Sequence, residues 1–319
     1  MTVLYTSTAS GSLGGTAGSA GLVQKAWDLL FEKELRAATL LSNLADRHPT
    51  NQTNPGSVVV LQNYVDLDVV TGNLTETVDP DSVSLATPTS TTITLVERGS
   101  STQVTRALDL FSLKGLDPDI ANVIAQNAID SIEYQAMEAL RVGTNVIYSG
   151  ATATSTATVT AAATITSADI REAVAIMEDN KAMYREGDYF WGAINPRVAH
   201  DLRIESGALG WMIPNAYGAD QNRIWNGSLG VYEGVRWVKS PRAYSALDGG
   251  SSARNYRTFI AGRQAFASAF AVEPGIVLGP VVDRLKRFRP IGWYAVGGYA
   301  IYRQDCLYRI ESGSSIAAA

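Results

Sequence analysis

The chain is poor in the residues from which catalytic and cross-linked sites are usually built. Cys306 is the one cysteine in 319 residues, which excludes an internal disulfide and fits a reducing compartment. With it stand only two histidines, His48 and His200, so the usual His/Cys zinc sites cannot be assembled. No Gly-Lys pair occurs, which removes the phosphate-cradling P-loop, and GxGxxG and GxSxG are missing too. Long hydrophobic runs are also lacking. The best candidate, FIAGRQAFASAFAVEPGIVLG, is broken by Arg263 and Glu273 and falls short of the roughly 18 apolar residues a membrane helix needs. MTVLYTSTASGSLGGTAGSAGL has no basic residue before Lys25 and no apolar stretch of signal-peptide type, so it is expected to form a flexible arm. Without secretion, the sequons at Asn51, Asn73 and Asn226 carry no glycan.

What is present describes a folded protein: 46% apolar and 18% charged residues, net charge −5 and pI near 5.2. An acidic chain lacks the phosphate-neutralising Lys and Arg that tight nucleic-acid coating requires. One basic cluster stands out, Arg284, Lys286, Arg287 and Arg289 in DRLKRFRP. A solvated face with neighbouring carboxylates is its plain reading, and phosphate or subunit contact the sharper one.

Periodicity divides the chain. GLVQKAWDLLFEKELRAATLLSNLAD (21–46) has helical spacing, and HPTNQTNPG then breaks it. From Ser57 to about Arg106 the character is strand, with SVVVLQNYVDLDVV and TTITLVERG separated by Thr71-Gly72 and Asp79-Pro80-Asp81 turn chemistry. Ile93 and Leu95 face one way. A lone two-stranded excursion is marginal in water and has to rest on something else. LDPDIANVIAQNAIDSIEYQAMEALRVG is the clearest helix, with Asp117 as cap, Pro118 at the first helical position and Gly143 as stop. ATATSTATVTAAATIT (151–166) is low-complexity and reads equally as an exposed loop or a strand pair. Thr166 or Ser167 caps a helix to about Tyr184, YFWGAI is a short buried strand, and Asn195-Pro196 opens another helix. The remainder, including GVYEGVRWVKSP, YRTFIAGRQAFASAFAV and WYAVGGYAIYRQDCLYRIE, is mostly strand and turn.

Catalytic constellations are thin. His200, Asp201 and Ser206 share one helical stretch, and such neighbours rarely converge on one reacting atom. Asp66 and Asp68 share a strand face, which a solvated edge explains. The surplus of the sequence is extension: an arm, a long hairpin and a low-complexity loop. Ordering these costs entropy that one subunit does not return, whereas neighbouring copies could supply the contacts.

In that order of elements, the chain resembles the major capsid protein of tailed bacteriophages. EDNKAMYREGDYFWGAINPRVAHDLR looks like that family's helix, strand, Asn-Pro, helix passage. NGSLGVYEGVRWVKSPRAY is similar to its Gly-strand-Ser-Pro return, RTFIAGRQAFASAF to the next strand, and YAIYRQDCLYRIES to the closing strand. The resemblance implies an α+β fold with an N-terminal arm (1–50), an E-loop hairpin (51–112), a spine helix on a sheet in the P domain (113–150), a mixed α/β A domain (151–270) and strands returning to the P domain (271–319). It implies no catalytic residue, cofactor or metal.

The function implied is self-assembly, as hexamers and pentamers, into an icosahedral shell around packaged double-stranded DNA held without sequence-specific binding. The partners implied are further copies, a portal, a separate scaffolding protein and a decoration protein, with no membrane. Synthesis and assembly are placed in the host bacterial cytoplasm and the product in the virion capsid. A separate scaffold is expected because only about twenty Gly/Ser/Thr-rich residues precede the first helical pattern. Some members weld neighbours through an E-loop lysine; no lysine occurs here between Lys33 and Lys114, so a non-covalent shell is expected. Candidate inter-subunit contacts are Trp27 and Leu30 in the arm helix, Asn73, Thr75, Glu76, Val83 and Leu85 in the hairpin, and Arg98. Competing readings are an encapsulin-like compartment shell, a tail or tube protein, and last an enzyme using His200.

Overall fold

The computed structural model describes residues 41–49, 57–64, 67, 69–74, 76–77, 79, 82–85, 87–111, 117–150, 152–205, 229–278, 285 and 287–316. Its centre is a pair of sheets whose strands are drawn from distant parts of the chain. The first holds β1 (Asp46–His48), β4 (Val96–Thr105), β11 (Phe266–Leu278) and β12 (Phe288–Ile301), in the order β1-β11-β12-β4. β11 and β12 form an antiparallel hairpin, β4 pairs antiparallel with β12 from Val96↔Gly297 to Thr105↔Phe288, and β1 adds in parallel on β11.

Two helices follow β4: α1 (Arg106–Phe111) and α2 (Asp117–Arg141). The start at Asp117-Pro118 and the stop near Gly143, both legible as helix signals, bracket α2. Ile124 and Ala128 bury against Val104, Ile291, Trp293 and Ala295 of the sheet beneath, and the Trp293 indole donates to Asn127 Oδ1 at 2.9 Å. Further along, Ala136 and Leu140 enter the larger core, so one helix joins both hydrophobic clusters. Val123, next to the buried Ile124, is half exposed.

The second sheet runs β5 (Val146–Tyr148), β13 (Leu307–Ser312), β10 (Asn255–Ala261), β6 (Phe190–Ile194), β8 (Val235–Lys239) and β7 (Val231–Tyr232), with β9 (Ser245–Ala246) beside β10. α3 (Ser167–Asp179) and α4 (Pro196–Ile204) pack against it. Both helices start as their capping sequences predict. The Thr166 hydroxyl accepts from Asp169 N while Asp169 accepts from Thr166 N, and Asn195 Oδ1 accepts from Arg197 N at 3.0 Å. α3 ends at Asp179, short of Tyr184, because Lys181 turns the chain at φ 54°. The last strand, β13, sits between β5 and β10, so the end of the chain completes the sheet of the 151–270 region.

Two stretches differ from the sequence expectation. The helix expected to run to residue 46 gives way, within the described residues, to a 3-10 turn at Ser42–Leu44 and then to β1. Burial decides this: Leu41 and Leu44 are sunk in the main core, and β1 pairs with β11. The low-complexity segment forms neither a strand pair nor a free loop. It carries a 3-10 turn at Thr156–Thr158, buries Val159, and is tied down by Gly250 N to Val159 O and Gly313 N to Ala163 O, both at 2.8 Å.

Candidate assembly surface

The Thr-rich excursion resolves into a short hairpin with a long loop. β2 (Val58–Asn63) pairs antiparallel with β3 (Thr89–Thr94), from Val58↔Thr94 to Asn63↔Thr89. The β-branched alternation of SVVVLQ thus ends at Asn63; beyond it, the expected strand through 70 is absent from the ladder among the described residues. β3 runs on through Leu95 directly into β4.

The base of this hairpin rests on its own subunit. Ile93 is fully buried against Ala267 and Ala269, and Val59, Leu61, Leu95, Ala300 and Tyr302 pack around it. The Tyr302 hydroxyl donates to Gln62 O at 3.0 Å, and the His48 ring meets Tyr302 edge-on at 5.8 Å. Gly298 allows the close approach: a Cβ there would lie 2.1 Å from Thr94 O. Ile93 and Leu95 therefore share a face, as the alternation predicts, and the missing core is the sheet of β11 and β12.

The tip is different. Val69, Val70, Leu74, Val83 and Leu85 are exposed by 67–83%, a concentration of uncovered aliphatic side chains that solvent alone does not favour. Asn73, Glu76 and Asp79 are exposed among them. From Arg47 to Arg98 no lysine or arginine intervenes, so the carboxylates Asp66, Asp68, Glu76, Asp79 and Asp81 have no cation near them in sequence. Arg98, at the start of β4, is exposed. Trp27, Leu30 and Thr75 lie outside the described residues.

Of the basic cluster, Arg284 and Lys286 lie outside the described residues. Arg287 is exposed beside Phe288, with its guanidinium 5.3 Å from the ring centre, and Arg289 pairs with Val104 in the ladder. Arg287 and Arg289 therefore mark the end of the first sheet opposite the hairpin, because β12 runs from Phe288 here to Ile301 beside β3.

Two buried carboxylates were not anticipated. Glu133 on α2 is fully buried and accepts from the backbone N–H groups of Leu41 and Ser42, both at 2.9 Å. It fastens the incoming chain to the long helix. Glu311, also fully buried, lies between Arg257 and Arg309, each with Nε 2.9 Å from Oε1, and accepts from Asn255 Nδ2 at 2.8 Å. Burial pulls the Arg309 guanidinium below its ordinary value, and Glu311 opposes that shift. Arg309 in turn donates to the carbonyls of Arg141 and Gly143 at the end of α2. Sequence periodicity marks both positions only as polar interruptions of apolar segments.

The triad of neighbours on α4 does not form a reacting centre. His200 is half exposed, with Nδ1 3.5 Å from Asp201 Oδ1. Both Asp201 oxygens are engaged by Ser315, through its N–H and its hydroxyl, and Ser206 lies outside the described residues. Burial pushes the Cys306 thiol above its usual range, which disfavours the reactive thiolate. Among the described residues no group of three or more potential metal ligands occurs, and no helix is long and apolar enough to cross a membrane.

Known proteins resemble the chain in both sequence profile and fold. A family model described as phage capsid protein matches residues 105–306. Comparison with curated proteins gives no match. Among solved structures, the capsid of Ralstonia phage GP4 superposes with a TM-score of 0.70 at 15% identity, over 88% of this chain and 90% of that one. The cyanophage Pam1 capsid asymmetric unit gives 0.68 at 15% identity, over 86% and 89%. The acid-stable capsid of Helicobacter pylori bacteriophage KHP30 gives 0.64 at 13%, over 88% and 94%. At these identities the superpositions establish the fold.

Proposed function

The chain belongs to the phage capsid protein family, a major capsid protein whose copies build the virion shell, and on that premise we propose how it assembles. The copies form hexamers and pentamers that close into an icosahedral shell around packaged double-stranded DNA. Closure multiplies contacts that are individually modest, which is how a lattice becomes a stable container. The acidic net charge suits enclosure without tight, sequence-specific grip. Assembly takes place in the host bacterial cytoplasm with a separate scaffolding protein and a portal, and a decoration protein reinforces the finished particle. No reaction is assigned to the subunit, whose buried ionic groups hold elements together.

One observation supports the intersubunit part of this reading: the hairpin tip exposes aliphatic residues that its own subunit does not cover. We assign Asn73, Thr75, Glu76, Val83, Leu85 and Arg98 to contacts with a neighbouring copy, together with Trp27 and Leu30 of the preceding segment. The cluster of Arg284, Lys286, Arg287 and Arg289 faces a neighbour or the enclosed DNA. The test is to replace residues 65–86 by a short Gly/Ser turn, which leaves β2 and β3 intact. The expected result is a folded subunit by circular dichroism that forms no shells by electron microscopy. Normal particles from this variant would overturn the role given to the loop.

A further inference from the structure

We propose that three arginines, Arg309, Arg141 and Arg242, fix the angle at which α2 meets the second sheet, so that every copy brings the same shape to the shell. This positioning role rests on the shell-building role above and goes beyond it.

α2 is a beam between the two sheets. Its first half lies on the first sheet through Ile124, Ala128 and the Trp293–Asn127 bond, while Ala136, Met137 and Leu140 sink into the core of the second. Its 25 residues span about 37 Å at roughly 1.5 Å each. An error of about 5° at the C-terminal end therefore displaces the other end, and the sheet beneath it, by about 3 Å, the whole length of a hydrogen bond. Burial holds the helix down without choosing an angle, because the hydrophobic effect has no direction. Direction has to come from polar groups.

Three polar ties converge on the rear half of α2. Arg309 on β13 donates from Nη1 to the carbonyls of Arg141 and Gly143, the latter at 3.1 Å, and so holds the C-terminal end. Arg141 donates to the Tyr244 hydroxyl at 3.3 Å, and Arg257 lies 4.4 Å from the centre of the same ring. Arg242 pairs with Asp130, which stands about 16 Å from Arg141 along the helix axis at roughly 1.5 Å per residue. Two ties at that spacing define a tilt, where one would define only a pivot. Between α2 and the turn at 241–245 lies an open cleft of about 470 Å³ lined by Tyr134, Met137 and Glu138. Packing alone thus leaves the helix room to tilt, and the arginines bridge the gap.

The buried carboxylate Glu311 aims this set. One of its oxygens lies 2.9 Å from Nε of both Arg257 and Arg309, and Asp248 takes the other end of Arg257 at 2.9 Å. A buried ion cluster of this kind seldom stabilises a fold more than apolar side chains of equal volume would. What it adds is direction: guanidinium forks held by carboxylates point at fixed backbone atoms and a fixed ring.

Two variants of the full-length chain test this. Arg309→Lys keeps a charge beside Glu311 but replaces the planar fork by a point charge. Arg141→Gln combined with Arg242→Gln removes both ties across the cleft at part-exposed positions and leaves the core intact. In each, hydrogen exchange of the last-turn amides of α2 (137–141) should rise about tenfold while the melting temperature stays near that of the wild type. Shells in electron micrographs should spread over at least about twice the wild-type range of diameters. Arg236→Gln, which removes an exposed pair between β8 and Glu186, should leave the shells uniform. Shells as uniform as wild type from the double variant, or from a folded Arg309→Lys, would overturn the proposal; so would an equal spread from Arg236→Gln. Failure of the shell-building role itself would look different, as wild-type protein that forms no closed particles.

Discussion

Replacing Glu133 should loosen the point where the N-terminal segment joins the body, and the size of the effect follows from its surroundings. The carboxylate is fully buried and holds two backbone N–H groups at 2.9 Å. In Glu133→Gln the amide oxygen can keep one of these, while its NH₂ confronts the other. Hydrogen bonds to a charged group contribute about 1.5–3 kcal/mol each, and a buried donor left unpaired costs about 1–3 kcal/mol. Losing one bond and weakening the other gives roughly 2–4 kcal/mol of local stability, which at about 1.4 kcal/mol per factor of ten is about a 30- to 1,000-fold change. Native-state hydrogen exchange of the amides at 41–44 reads this directly. Leu41 and Leu44 still bury their side chains, so the loss should stay local. The control is Glu273→Gln nearby: its pair with Arg47, at 3.0 Å, is exposed by 60% and 71%. Screened surface pairs are worth about 0.2–1 kcal/mol, so exchange at 41–44 should change by no more than about fivefold. If Glu133→Gln falls inside that control range, the carboxylate does not fasten the segment and the reasoning fails.

Two further outcomes follow from packing and burial. Gly298→Ala should displace the hairpin base, because its Cβ would meet Thr94 O at 2.1 Å; the subunit should fold, yet assemble at least tenfold more slowly by light scattering. Unchanged assembly kinetics would show that the base need not sit so close. The second outcome concerns alkali: burial raises the hydroxyls of Tyr232, Tyr299 and Tyr308 above the ordinary value for tyrosine. Groups that stay protonated in the fold but ionise when unfolded contribute stability below about pH 10 and lose it as pH rises past that value. Above about pH 10 the unfolding midpoint should fall, with tyrosinate absorbance at ~295 nm rising as the chain unfolds; a midpoint flat to about pH 12 would contradict this burial.

How much was legible in the sequence depended on whether the cause was local. Thr166 and Asn195 announce their helices because a cap acts within three residues, and the structure places both bonds there. The alternation that gave Ile93 and Leu95 one face needs only a period of two. Leu41 and Leu44 misled for the opposite reason. Their spacing suits a helix, but long-range burial and pairing of Asp46–His48 with β11 win over propensity. Glu133 and Glu311 were invisible as functional groups because their partners lie far along the chain or across a sheet. The neighbouring glycines in AVGGYA were a visible signal for a close approach, though not for what approaches.

The hairpin shows why a well-packed base and an uncovered tip belong together. If the whole excursion were free, a neighbour would have to order it all, at about 1–2 kcal/mol per residue in backbone entropy. Burial of Ile93, the Tyr302–Gln62 bond and the Thr94–Gly298 contact hold both ends of the loop within the folded subunit. On the proposed assembly, the tip would then meet its neighbour from a fixed direction, which lowers the cost of association without adding a single contact. The same reasoning explains the composition. Threonine and serine are strand-compatible and polar, while Val83 and Leu85 leave their apolar surface uncovered, as the proposed contact with a neighbouring copy would use. On the same proposal, more apolar residues in the tip would strengthen the intersubunit contact but also favour premature association, so a sparse alternation on a packed base suits controlled assembly.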